Sequence, residues 1–354
     1  MAATLTSVAI KVRRIIRYGI YFIIFATIAR FVFLSGYRYY ISHRPEKPLP
    51  PTLGFDILPA IPFSEQVAEL PRLEYNLETT TGALPEITET TMKVFYIPKP
   101  VPTLGSVDSA KKKALSLGFD DNPIEVSQTI YRFNHKSKPS TLEMNIVTGS
   151  FSIAFNLAAD PSPIQTRPPT VEECISQAQS ILSSASSLPP DLTGNHTHEF
   201  LKVEGLNLVS ALSFSEASLV KVNLFRKSFG DNQEYPSLTK SPKESNVWFI
   251  IGGNKQVVGA EFHYQTLDET RFETYPVKTV QEAYDELING KAHVANLGLN
   301  KEGKIIIRKA YLAYYDPDNT TQFYQPVYVF EGDGEFVAYV PAVTPDYYSQ
   351  SATD

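Results

Sequence analysis

One cysteine, Cys174, stands in 354 residues. An internal disulfide is excluded, and so is a lipoprotein, which needs its cysteine near the N-terminus. Neither exclusion locates the chain, because a protein of an oxidising compartment can do without disulfides. Basic charge is scarce beyond the N-terminus. Residues 1–44 hold seven Lys/Arg and no Asp/Glu, and the remainder carries 25 basic against 38 acidic residues, a net of −13. That balance argues against nucleic acid as a partner, since counterion release needs basic patches. It also argues against tight docking of this region on anionic lipid.

Catalytic signatures are missing too. There is no G-x-S-x-G, P-loop or G-x-G-x-x-G in a strand–turn–helix context, and no H-E-x-x-H. Of six histidines, His196 and His198 with Glu199 form the most metal-like cluster, but no second ligand pair stands at zinc spacing. Asp316-Pro317-Asp318-Asn319 starts like a calcium loop. It has Thr321 where glycine is needed and Val327 where glutamate is needed, so it reads as a polar loop. Glu331 and Glu335 flank a turn, and Cys174 falls on an apolar helix face as a core residue. No catalytic, cofactor or metal site is assigned.

What is present is one long apolar run. Residues 15–40 read IIRYGIYFIIFATIARFVFLSGYRYY. About 20 residues at ~1.5 Å each cross the ~30 Å hydrocarbon core. Residues 18–36 carry a single charge, Arg30. It is tolerable near an end, where its guanidinium snorkels to the headgroups, with Tyr37, Tyr39 and Tyr40 as an aromatic belt. Lys11, Arg13, Arg14 and Arg17 precede the run; Arg38, Arg44 and Lys47 follow it. The excess on the N-terminal side favours a cytoplasmic N-terminus. The run is long for a signal-peptide core and lacks an A-x-A-like cleavage site, so the expectation is an uncleaved anchor in the cytoplasmic membrane with the bulk outside.

Residues 41–73 are a proline-rich linker, extended because proline fixes φ and removes a donor. Its apolar Phe55, Ile57, Leu58, Ile61 and Phe63 can pack on the first module. Three helices follow. The first covers 106–118, with Ser106 as N-cap and Gly118 just past the end. The second covers 170–187, with Thr170 and Glu173 as a capping box, and the third starts at Thr279 with Glu282 completing another. Strand signals come after each: 126–133, 141–147 and 150–156; then 199–209, 217–226, 246–251 and 256–265, the last two joined by a turn at Gly252-Gly253-Asn254; then 304–315, 325–330 and 335–340. The expected architecture is α+β: a transmembrane helix followed by two or three modules, each a helix packed on an antiparallel sheet. The boundaries are a cytoplasmic tail at 1–14, the membrane helix at 15–40, the linker at 41–73, modules at 74–160, 161–265 and 266–341, and a disordered tail at 342–354.

Residues 275–341 contain YPVKTVQEAYDELINGKAHV, KAYLAYYD, QFYQPVYVFEGD and EFVAYVP. They resemble extracytoplasmic PepSY-like modules, in particular the C-terminal half of YycH/YycI-type regulatory proteins. Thr279, Glu282, Ala283, Leu287 and Gly290 match the helix of that pattern; Tyr314, Tyr315, Gln325, Pro326, Tyr328 and Phe330 match its strands. The resemblance covers about 70 residues and implies one membrane helix, an extracytoplasmic α+β region and action by binding a protein partner. It does not extend to residues 1–245, and the proline-rich linker has no counterpart in it.

Aromatics crowd the C-terminal strands. Neighbouring strand residues face opposite sides, so Tyr314 and Tyr315 cannot both be buried against one helix. Tyr311, Tyr314, Tyr315, Tyr324 and Tyr328 read first as sheet core and packing between modules, with an exposed partner-binding face as the alternative. The function expected is non-catalytic: a membrane-anchored regulator or scaffold that binds a protein at the cell envelope. The alternatives are an envelope hydrolase drawing together His196, His198 and Glu261, and a glycan- or peptide-binding module with a tyrosine-lined groove.

Overall fold

A computed structural model describes residues 5–42, 49–63, 70–192, 194–205, 207–230 and 234–349. Arg44, Pro45, Lys47 and residues 350–354 lie outside these. The chain forms two compact units, 1–47 and 48–354.

The first unit is one helix, α1 (Leu5–Ser42), longer at both ends than expected. The basic flank is itself a good helix former, and no proline interrupts before Pro45. Its segment Ile16–Arg38 is long and apolar enough to cross a membrane. Phe22, Phe25, Phe31 and Phe33 are all at least 70% exposed, which is apolar area that water would penalise and lipid would not.

Among the described residues of the second unit, two sheets carry the fold. The larger is nine-stranded and antiparallel throughout. It contains β3 (Ile124–Glu125), β4 (Ile130–Asn134), β5 (Ser140–Asn145), β6 (Phe151–Phe155), β7 (His196–Glu204), β8 (Asn207–Ser210), β9 (Leu219–Leu224), β11 (Val247–Ile251) and β12 (Val257–Phe262), in the order 3-4-5-6-12-11-9-7-8. Helices α2 (Ser106–Ser116) and α4 (Val171–Ser184) cover one face; the short α3 (Ser162–Gln165) precedes α4. Ala110 and Ala114 of α2 and Cys174, Ala178 and Leu182 of α4 share a core with Phe133, Leu142, Val222 and Phe249.

The smaller sheet has eight strands: β1 (Glu74–Leu77), β2 (Thr91–Tyr96), β10 (Ser237–Leu238), β13 (Asp268–Pro276), β14 (His293–Asn296), β15 (Lys304–Tyr315), β16 (Phe323–Gly332) and β17 (Phe336–Pro341). Helix α5 (Val280–Ile288) lies on it through Ala283 and Leu287.

The sheets divide the chain differently from three consecutive modules. The first two helix-and-strand groups fuse where β6 pairs with β12. β1 and β2, expected in the first module, pair instead with β15, β13 and β16. The local signals hold better. Both capping boxes form, Thr170 with Glu173 and Thr279 with Glu282. The N-cap of α2 is Gly105 rather than Ser106, one residue early, because the Ser106 hydroxyl accepts from the Thr103 N–H instead. The β11–β12 turn needs its glycines: a Cβ at Gly253 would sit 1.8 Å from the Thr166 hydroxyl.

Residues 49–63 form no helix but are not extended throughout: the chain turns at 53–56, where Leu53 and Asp56 have positive φ, and the segment docks on the C-terminal sheet and not on the first group. Thr52 N–H donates to the Thr274 carbonyl (3.0 Å), Leu58 N–H to the Tyr347 carbonyl (2.9 Å) and Gln325 Nε2 to the Pro59 carbonyl (3.0 Å). Leu58 is fully buried. The N–H groups of Thr52, Phe55, Leu58 and Ile61 thus find partners more than 200 residues away, while the segment's apolar side chains fill the sheet's second face. Residues 342–349 are part of the same arrangement and are not a frayed tail: Ala342 and Val343 are buried, and Ser349 N–H donates to the Leu58 carbonyl.

Candidate functional site

The tyrosine face is core. Tyr314, Tyr315, Tyr324 and Tyr328 are at most 3% exposed, and Tyr311 is half-buried with its hydroxyl on Glu331 (2.7 Å). Strand parity puts Tyr314 and Tyr315 on opposite faces, and both faces of the sheet are covered. Tyr314, Tyr324 and Tyr328 pack on the α5 side. Tyr315 packs on the other side with Tyr339 and with Ile61 and Phe63 of the docked strap. Burial pushes the Tyr324 and Tyr328 hydroxyls well above the ordinary phenol range. Their protons go to interior acceptors: Tyr328 donates to the Lys278 carbonyl, and Tyr324 shares a hydrogen bond with Ser237. Of the five, Tyr311 lines a pocket, one of about 240 Å³ that it shares with Tyr235, Ile87 and Pro236.

His196, His198 and Glu261, the groups the hydrolase alternative would draw together, do not assemble. His198 pairs with Val222 and thence with Phe249 and Ala260, all on the helix-bearing face, whereas Glu261 points to the other. β7 and β12 are three strand spacings apart, roughly 14 Å at ~4.8 Å each. Among the described residues no group of three or more His, Cys, Asp or Glu stands at metal-binding geometry. Asp316 and Asp318 are turned onto Arg226 and Lys240. Cys174 is fully buried, and burial, with Glu173 nearby, pushes its thiol up to about 11.

Register brings other groups together on the face opposite α2 and α4, where the short α3 packs through Ile164. Trp248 lies opposite Glu261 on one side and Asn223 on the other. Glu261 and His263 are two apart on one extended strand, so they share that face, and His263 Nε2 is 2.6 Å from Glu261 Oε2. The loop before β11 adds Lys240, Glu244, Ser245 and Asn246; the turn after β15 adds Asp318 and Asn319. Together they line a cleft of about 360 Å³ where the two sheets meet. Its charges are paired: Lys240 with Asp318 (2.8 Å) and Lys221 with Glu244 (3.1 Å), the Lys221 ammonium also standing 5.1 Å from the Trp248 ring. The Oδ1 of Asp318 is buried without a hydrogen-bond partner.

Beneath the cleft a buried joint fixes the sheets to each other. Arg226 Nη1 donates to Asp191 (2.6 Å) and Nε to Asp316 (3.1 Å), while Nη2 donates to the Gln265 carbonyl. Tyr264 lies under the guanidinium at 4.1 Å and donates to Asp191 (2.6 Å). Asn246 Nδ2 donates to the Asp316 carbonyl (2.9 Å). Burial works against the Arg226 charge, but the Asp316 and Asp191 carboxylates outweigh it and raise its pKa.

The sequence reading singled out Glu261 but missed Trp248, His263, Lys240 and Asp318 as a group. One signal was available: the Gly252-Gly253-Asn254 turn sets a hairpin register that places Trp248 opposite Glu261. The contribution from β15 had no sequence signal, because it depends on how the sheets meet.

No family model matches the chain, and no curated protein does. Among solved structures, one match is an uncharacterized protein from Eubacterium rectale, at 12% identity and a TM-score of 0.40, covering 79% of this chain and 90% of that one.

Proposed function

We propose that the chain is a membrane-tethered protein of the cell envelope that works by binding a protein partner, with its N-terminus in the cytoplasm and residues from 49 onward outside. The membrane-length helix and the acidic remainder support the topology. The observation that carries the binding reading is the Trp248 cleft, a lone tryptophan among paired ions on the sheet face opposite α2 and α4, packed against Leu219, Ile250 and Val258. An aromatic anchor inside a charged rim is the anatomy of a protein-binding hot spot. The regulatory role implied by the YycH/YycI-like pattern at 275–341 belongs to this reading. The contact surface does not include the buried tyrosines.

The test is site-specific photocrosslinking in intact membranes from position 263, with position 345 as a control. A defined adduct from 263 that is lost in Trp248→Ala supports the reading. Truncating such an anchor costs about 2 kcal/mol or more, roughly thirtyfold in affinity. Adducts indifferent to Trp248 refute it. Digestion of the C-terminal region only after lysis would refute the topology.

A second reading is a glycan-binding cleft. The unpartnered Oδ1 of Asp318 favours it, since a sugar hydroxyl would satisfy that oxygen while the ring of Trp248 meets the sugar face. Binding of envelope glycan fragments, lost in Asp318→Ala, would distinguish it.

A further inference from the structure

On the helix-bearing side of the nine-stranded sheet, a cavity of about 380 Å³ opens between α2, residues 186–191 and residues 262–269. It shares no lining residue with the Trp248 cleft. Its walls are of two kinds. Phe262, Leu188, Pro189 and Leu267 supply apolar surface; Thr148, Ser186 and Thr266 supply hydroxyls. Besides Lys113 the lining has two charged members, and both are engaged: Asp191 by Arg226 and Tyr264, and Glu269 by Lys227 at 2.8 Å.

Lys113 differs. It is half-buried in the last turn of α2, and among the described residues no carboxylate lies within ion-pair distance of it. Its Nζ reaches the Gly149 carbonyl at a long 3.5 Å and stands 6.0 Å from the Phe262 ring centroid. Burial lowers its pKa with no anion opposing the shift. A cation removed from water without a counter-charge is electrostatically incomplete. The volume falls in the ~300–1,000 Å³ range of small-ligand pockets.

We propose that this cavity binds a small organic carboxylate, its anionic end on Lys113 and its apolar body against Phe262 and Leu267. One cation calls for a monoanion. The carboxylates of Asp191 and Glu269 on the same wall disfavour a dianion such as phosphate. This site is independent of the Trp248 cleft, and either can fail alone.

The experiment is fluorine NMR on the full chain in nanodiscs, with fluorobenzoate as probe and fluorobenzyl alcohol as its neutral counterpart. Fluorobenzoate should bind and the alcohol should bind more weakly. Lys113→Gln should weaken the carboxylate roughly ten- to hundredfold, the worth of one charge-assisted hydrogen bond, and Lys113→Arg should retain it. No fluorobenzoate binding, equal binding of the alcohol, or binding unchanged in Lys113→Gln overturns the proposal. Should Lys113→Gln not fold, Thr266→Trp fills the cavity from its exposed rim. Loss of binding there supports the site, and unchanged binding overturns it.

Discussion

Arg226→Met should be among the most damaging single substitutions in the second unit. Arg226 and Asp191 are each 5% exposed, and the guanidinium supplies all three of its nitrogens to acceptors on both sides of the joint. Removing it leaves two buried carboxylates facing each other. Breaking a buried pair in this way costs about 3–5 kcal/mol, against about 5–15 kcal/mol for a whole domain. At ~2–4 °C per kcal/mol the melting temperature should fall by roughly 6–20 °C. Arg226→Lys should recover little, since one ammonium cannot reach three acceptors fixed in fork geometry. The triple change Arg226→Met with Asp191→Asn and Asp316→Asn should recover much of the loss, because the orphaned charges are gone. The assay is urea denaturation of the full chain in detergent, followed by Trp248 fluorescence. A single variant within about 1 kcal/mol of the parent, or a triple variant worse than the single, would refute the reasoning that the joint holds by charge compensation.

Leu58→Ala should cost about 2–5 kcal/mol, as for other fully buried leucines, and should open residues 49–63 to protease before the sheets unfold; an unchanged cleavage pattern would show that the strap is not held by this side chain. His293, stacked on Phe63 at 4.7 Å, has its pKa pushed below the ordinary 6.5 by burial. The folded state therefore binds fewer protons than the unfolded chain, so this stability is present above about 6.5 and is lost as pH falls through the lowered folded value; amide exchange of the strap should accelerate on acidification, and His293→Phe should abolish that dependence. Thr279→Ala should remove about 0.5–2 kcal/mol by opening the α5 capping box, with loss of protection confined at first to the start of α5 in hydrogen exchange.

What was legible in the chain was local chemistry. The capping boxes at Thr170 and Thr279 need only residues three apart, so the helix starts were fixed by neighbours. The 304–315 strand matches its expected bounds because Ile305, Ile306, Ile307, Tyr311, Tyr314 and Tyr315 carry strand propensity up to Asp316 and Pro317. The apolar helix near the N-terminus needed only composition and length. Long-range pairing was not legible. Residues 74–77 and 91–96 carry ordinary strand patterns that do not say which sheet they join, and their partners lie more than 170 residues on.

The candidate site shows the same limit. Tyr314 and Tyr315 pointed to opposite faces by strand parity, as the sequence required, but whether the second face met water depended on where a proline-rich segment docked. That docking is a set of contacts between residues 49–63 and the distant strands β2, β13 and β16 with residues 342–349, with no local signature. The composition of the chain determined that it has helix enough to cross a membrane and apolar residues enough for packed cores. Only the tertiary structure decided that the tyrosines are interior, that Trp248, Glu261 and Asp318 share a cleft, and that Lys113 faces a cavity with no counter-charge among the described residues. Propensity and capping act over one turn or one strand, whereas burial and charge pairing depend on which surfaces finally meet.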